Sequence, residues 1–82
     1  LELIDLKPRL ASAEVQDLLY ALVGWREDEA LNRAALERAL SDYRDDEGLH
    51  IYGVRAANEL VGLIGLENAA AGLVIRHLVV HP

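Results

Sequence analysis

The sequence IRHLVVHP, residues 75–82, decides how the fold is understood. It is apolar, rich in β-branched residues and almost free of charge, which predicts a β-strand. Apolar residues fall on both of its faces, as is typical of a strand inside a sheet. An edge strand would leave backbone donors and acceptors unpaired, and only Arg76 and Pro82 would blunt that edge. We therefore expect this strand to pair with a ligand that carries amides, with a second chain, or with the rest of its own domain.

The segments that precede this strand predict an α+β domain of order β-α-α-β-β-β. "LELIDLK" indicates a first strand, which Pro8 ends. Ser12 and Asp28 are suitable N-caps for two helices, the first ending near Gly24 and the second lying within residues 26–48. From Leu49 the period changes, and strands are predicted at 49–56, 60–67 and 73–80, with a left-handed turn residue at Asn58. We expect an antiparallel meander covered by two helices, with the apolar middle strand covered on both faces.

The composition bounds the size and excludes several classes of protein. The chain has 82 residues, 52% of them hydrophobic, and a net charge of −6. That charge argues against nucleic-acid binding, which needs a basic surface. No apolar run approaches the roughly 20 residues of a membrane span. Cysteine is absent and the N-terminus does not resemble a signal peptide, so we expect a reducing, cytoplasmic setting without disulfides.

Few residues suggest chemistry. Glu67 and Glu59 flank the middle strand, where a carboxylate beside a groove can act as a general base, although a solvated turn residue is the simpler interpretation. His77 and His81 are four residues apart, a spacing that aligns metal ligands on a helix but not on a strand, so we expect no metal site. Trp25 is expected to plug the space between the two helix ends.

Acidic residues are concentrated in the second predicted helix. Residues 26–48 contain 8 of the 14 acidic residues of the chain. A solvated helix face is the simpler interpretation of such a cluster. The alternative is a negative rim that attracts a cationic amine.

The order of elements, together with the last strand, resembles the N-terminal half of a GNAT-type N-acetyltransferase. In that family the fourth strand reads apolar, any, apolar, any, Pro, and acetyl-CoA enters the wedge beside it. The resemblance implies that main-chain groups of Leu78, Val79 and Val80 bind the amides of the pantetheine arm. It further implies that the two helices frame a site for a small-molecule or peptide amine. Glu67 would accept the proton of that amine, directly or through water.

The resemblance covers all 82 residues but only about half of the family's domain. The family's Arg/Gln-x-x-Gly-x-Gly/Ala loop and following helix, which hold the pyrophosphate, do not occur in this sequence. The tyrosine that usually serves as general acid in the family would also lie beyond Pro82. We therefore expect residues 1–82 to form a single partial domain, a fragment of a longer one, that is inactive alone.

Two other functions remain open. The chain could be a non-catalytic interaction module whose last strand pairs with its twin in a homo-oligomer through residues 73–80, and replacing Val79 with Lys would then break the association. A dimer that persists at low concentration and ignores CoA would favour this module. A small regulatory domain that binds an amino acid is less well supported, because two successive helices do not give the alternating order of such domains.

Overall fold

A computed structural model, which describes residues 1–80, shows two helices packed on one four-stranded sheet. The elements are β1 (Glu2–Asp5), a 3-10 turn (Lys7–Arg9), α1 (Ala13–Val23), α2 (Glu29–Asp45), β2 (Leu49–Ala56), β3 (Glu59–Ala69) and β4 (Gly72–Val80). The predicted α+β class and the order of elements are confirmed. The strand order is β1-β2-β3-β4 with every neighbouring pair antiparallel, so β4 is an edge strand.

The predicted caps and turn are confirmed in detail. The Ser12 side chain accepts a hydrogen bond from the backbone of Val15 at 3.3 Å, and the Asp28 side chain accepts one from Ala30 at 2.9 Å. Each bond satisfies a backbone donor that a helix start leaves unpaired. Asn58 is left-handed, with a φ of 66°.

The hydrophobic core lies between the helices and one face of the sheet. Leu19 of α1 and Tyr43 of α2 meet Ile51 of β2 and Leu63 of β3 there, all essentially inaccessible to solvent. Burying an aliphatic side chain of this size contributes roughly 1.5–3 kcal/mol. The core therefore fixes which face of each helix turns towards the sheet.

The other face of the sheet is open. The expectation that the middle strand is covered on both faces is wrong, because both helices pack on the same side. Ile64 is only partly buried, and its neighbour Leu78 on β4 is 56% exposed. The apolar residues that predicted a fully buried strand thus form an apolar sheet surface without a covering layer among residues 1–80.

A β-bulge in β4 decides which of its side chains face the helices. Gly65 pairs with His77, whereas the next residue of β3 pairs with Ile75, so Arg76 is an extra residue in the ladder. An extra residue shifts the alternation of side chains by one position. Beyond the bulge, His77 and Val79 turn towards the helices and Leu78 turns towards the open face.

Candidate functional site

The core ends at a polar pair formed by α2 and β4. The Tyr43 hydroxyl lies 2.6 Å from Nδ1 of His77, and the two rings are tilted by 57° with centroids 5.6 Å apart. Gly65 provides the space for the hydroxyl, because a Cβ at that position would lie 1.6 Å from it. Backbone and core packing therefore hold both rings in place.

Both members of this pair are uncharged at neutral pH. Burial raises the pKa of the Tyr43 phenol to about 12. Burial also lowers the pKa of His77, and the positive charge of Arg76 lowers it further. A phenol that keeps its proton can donate to Nδ1, which leaves the His77 ring proton on Nε2.

A groove of about 380 Å³ lies between α2 and β4, beside the Tyr43–His77 pair. We call it the α2–β4 groove. Its walls come from the end of α1, the loop after it, α2 and the bulge of β4, and they comprise Val23, Arg26, Leu31, Ala34, Ala35, Arg38, Ala39, Asp42, Arg76 and His77. The volume lies within the usual range for small-molecule sites, about 300–1,000 Å³.

Glu67, the predicted general base, lies on the helix-facing side of β3, opposite Leu49. Its carboxylate is paired with the guanidinium of Arg76 and is about one-third exposed. Arg76 also lines the groove, so Glu67 lies behind the groove wall rather than on it. To accept a proton from a bound amine, Glu67 would have to leave this ion pair or act through water.

The three residues predicted to bind the pantetheine arm end the edge strand β4. Leu78 and Val80 are exposed by 56% and 73%, whereas Val79 packs against the core. The outer edge of β4 has no partner strand among residues 1–80. In an edge strand, alternate residues direct their backbone N–H and C=O groups away from the sheet, where they can bind an amide.

Two other predicted residues are not brought into this site. Trp25 is 73% exposed rather than a plug between helix ends, with the Arg26 guanidinium 4.5 Å above its ring. Glu59 is exposed at the opposite end of β3 from Glu67. His81 and Pro82, from the predicted histidine pair and the strand's end, lie outside the described residues.

The Tyr43–His77 pair and the arginines of the groove were missed by sequence reasoning. Tyr43 and His77 are 34 positions apart. The bulge that turns His77 inward leaves no pattern in the sequence. A partial signal exists for Tyr43, because its spacing from Leu36 and Leu40 predicts that it lies on the inner face of the second helix. That spacing carries no information about a histidine partner.

Comparison with known proteins identifies no family for this chain. No protein-family model matches the sequence, and no curated protein is significantly similar to it. Within residues 1–80, no three histidine, cysteine, aspartate or glutamate side chains are grouped so as to hold a metal ion. None of the helices there combines the length and the apolar character needed to cross a membrane.

Proposed function

We propose that this chain is the acceptor-side half of a GNAT-type N-acetyltransferase, which transfers the acetyl group of acetyl-CoA to an amine. The observation that carries the proposal is the outer edge of β4 at Leu78–Val80, which has no partner strand among residues 1–80 and lies next to the α2–β4 groove. The element order, with two helices before an antiparallel meander, supports it. The assignment to the GNAT type rests on the resemblance of the element order and the last strand to that family.

The chemistry of this function is direct attack of an amine on the thioester. The amine must first lose a proton, and the acetyl carbonyl must be polarised by a hydrogen-bond donor. Backbone N–H groups of β4 are candidates for the donor and for binding the pantetheine amides. Glu67 is the proposed base. Because its carboxylate is paired with Arg76, it would have to leave this ion pair or act through water.

Binding of cofactor fragments tests this proposal. Backbone NMR spectra of the 82-residue chain would be recorded with acetyl-CoA, with pantetheine, and with adenosine 3′,5′-bisphosphate. Acetyl-CoA and pantetheine should both shift the amides of residues 78–80, and the bisphosphate should not, because it lacks the pantetheine amides that β4 is proposed to bind. If millimolar acetyl-CoA leaves these amides unchanged, β4 of this chain does not bind the cofactor.

A second candidate function is an interaction module that forms a homo-oligomer through the last strand. The supporting observation is the exposure of large apolar side chains on β4, with Leu73, Ile75, Leu78 and Val80 each more than half accessible. An unprotected apolar edge is a template for pairing with a second chain. A dimer that survives dilution and is unaffected by acetyl-CoA would favour this function over acyl transfer.

A further inference from the structure

The α2–β4 groove carries a charge opposite to that of the chain as a whole. The protein has a net charge of −6, yet three arginines, Arg26, Arg38 and Arg76, line the groove against a single carboxylate, Asp42. The guanidinium of Arg76 is neutralised by its pair with Glu67, which leaves two arginines against Asp42. Most acidic residues of the second-helix region therefore lie away from the groove. The groove is a local positive site in an acidic protein, which favours a ligand with an anionic group.

Two of these charged residues are opposite in sign and stand one helical turn apart on α2. Arg38 and Asp42 are related as i and i+4, so their Cβ atoms are about 5–6 Å apart. They do not pair with each other, and neither forms an ion pair with any of residues 1–80. An arginine that precedes an acid along a helix is the less favourable order for such a pair. Both charges are thus available to a ligand in the groove.

A buried amide fixes the backbone of Arg26, a second arginine that lines the groove. Asn32 is 3% exposed; its side chain accepts from the backbone N–H of Arg26 at 2.9 Å and donates to the Arg26 carbonyl at 2.8 Å. This closes the loop between the helices onto α2. The Arg26 guanidinium donates to the carbonyl of Val23 and lies over Trp25, and it has no carboxylate partner in the described part of the chain.

We propose that the α2–β4 groove binds a small zwitterionic amine, a molecule that carries both a carboxylate and an ammonium group. Arg38 binds the carboxylate, because a guanidinium matches the two oxygens of that group, and Arg26 adds a second positive charge to the same groove. Asp42 binds the ammonium. Asp42 and His77 line the same groove, and His77 contacts Tyr43, so an ammonium bound to Asp42 would share the groove with this polar pair.

If the chain is part of an acetyltransferase, the zwitterionic amine would be its acceptor substrate, and this part of the inference rests on the proposed function. Binding itself does not require acyl transfer. The proposal also differs from the alternative of a negative rim that attracts a cationic amine, which came from counting acidic residues in the second helix. The groove is lined by one carboxylate and three guanidinium groups, of which that of Arg76 is already paired with Glu67.

Three probes of equal chain length separate the two charges of the ligand: 4-aminobutyrate, butylamine and butyrate. Backbone NMR shifts of groove residues would be followed as each probe is added at low ionic strength, where charge interactions are least screened. The fluorescence of Trp25, the single tryptophan, gives a second signal, because a ligand that contacts Arg26 alters the guanidinium that lies over the Trp25 ring. 4-Aminobutyrate should bind more tightly than either singly charged probe. Equal or tighter binding of butylamine or butyrate would overturn the proposal.

Two substitutions in the groove assign the charges to residues. Arg38→Gln should weaken 4-aminobutyrate at least about tenfold, the loss expected for one charge-assisted contact, and leave butylamine unchanged. Asp42→Asn should weaken 4-aminobutyrate and butylamine but not butyrate. Arg33→Gln is the matched control, since Arg33 lies on the same helix, is paired with Glu29 and does not line the groove. An equal effect of Arg33→Gln and Arg38→Gln would show a general charge effect and would refute the site.

Acetyl-CoA competition separates this inference from the proposed function. If 4-aminobutyrate binds with the expected variant pattern and acetyl-CoA leaves β4 unchanged, the zwitterion site stands and the acetyltransferase proposal fails. If acetyl-CoA displaces 4-aminobutyrate and the binding of acetyl-CoA depends on Arg38, the groove holds a cofactor phosphate, and the assignment of the zwitterion as the acceptor is refuted. Binding of both molecules together supports both proposals.

Discussion

Replacing Gly65 with Ala tests how tightly the Tyr43–His77 pair is held. A Cβ at Gly65 would lie 1.6 Å from the Tyr43 hydroxyl and 2.5 Å from the adjacent ring carbon. Ordinary contact distances are about 3.5 Å or more, so the ring must move by roughly 2 Å. That movement breaks the 2.6 Å contact with His77. Overpacking costs about 1–3 kcal/mol and the lost hydrogen bond about 1 kcal/mol, which together predict a loss of about 2–4 kcal/mol.

A loss of this size is easily measured in a small domain. At roughly 0.05–0.15 kcal/mol per residue, a chain of this length is stabilised by about 4–12 kcal/mol. Urea unfolding followed by far-ultraviolet circular dichroism would give the free energy of unfolding of each variant. Gly48→Ala is the matched control, because its Cβ would meet only the Asp46 side chain, at 3.3 Å. We expect the control to change stability by less than about 0.5 kcal/mol.

A double mutant distinguishes a clash with the hydroxyl from a general intolerance of alanine in β3. In a Tyr43→Phe background the closest contact to the introduced methyl group disappears, although the ring carbon remains. Gly65→Ala should therefore cost at least about 1 kcal/mol less in that background than in the wild type. If the two costs add without coupling, or if Gly65→Ala alone costs less than about 1 kcal/mol, the packing of Tyr43 over Gly65 is not as described.

Three further predictions concern the edge strand, the ion pair and the histidine. Leu78→Lys should abolish any self-association through β4 in sedimentation velocity, whereas Leu31→Lys, similarly exposed on α2, should not; an unchanged oligomer would exclude β4 as the interface. Glu67→Gln removes the pair with Arg76 and should change the free energy of unfolding by less than about 1 kcal/mol, as for other partly exposed pairs. If Glu67 is the base of a complete enzyme, this variant also alters the pH–rate profile, and an unchanged profile would remove it from the mechanism. The lowered pKa of His77 means that the unfolded chain takes up its proton first as the pH falls below about 6.5. Stability from this residue is thus present above that pH and lost below it, and in His77→Gln the slope of stability between about pH 5 and 7 should be smaller; an equal slope would contradict the burial of the ring.

The elements of the fold could be predicted from sequence because each has a local cause. Ser12 and Asp28 satisfy backbone donors at helix starts, and both act within three residues. Asn58 tolerates the left-handed turn between β2 and β3. The first strand is shorter than predicted because Asp5 accepts a hydrogen bond from the backbone of Lys7, which starts the 3-10 turn early. Local hydrogen bonding thus explains both the successes and this correction.

Which side chains of β4 face the helices could not be predicted from the sequence. The answer depends on the β-bulge, and no local signal such as a cap or a turn residue marks its position. Simple alternation through IRHLVV would place Ile75, His77 and Val79 on one face, but the extra residue Arg76 separates Ile75 from the other two. One consequence is that Val79 packs against the core, so Val79→Lys would damage the fold before it tested an interface. Leu78 is the residue that tests the surface without that cost.

The charge of the α2–β4 groove, like the faces of β4, could not be predicted from the sequence. Acidic residues outnumber basic ones in residues 26–48, but a ligand in the groove contacts only the residues on the side of α2 that lines it. Leu36 and Tyr43 are buried in the core, and their burial fixes the rotation of α2 against the sheet. That rotation turns Arg38 and Asp42 towards β4. The charge presented to a ligand is thus set by long-range packing, and this is why a zwitterion rather than a cation fits the groove.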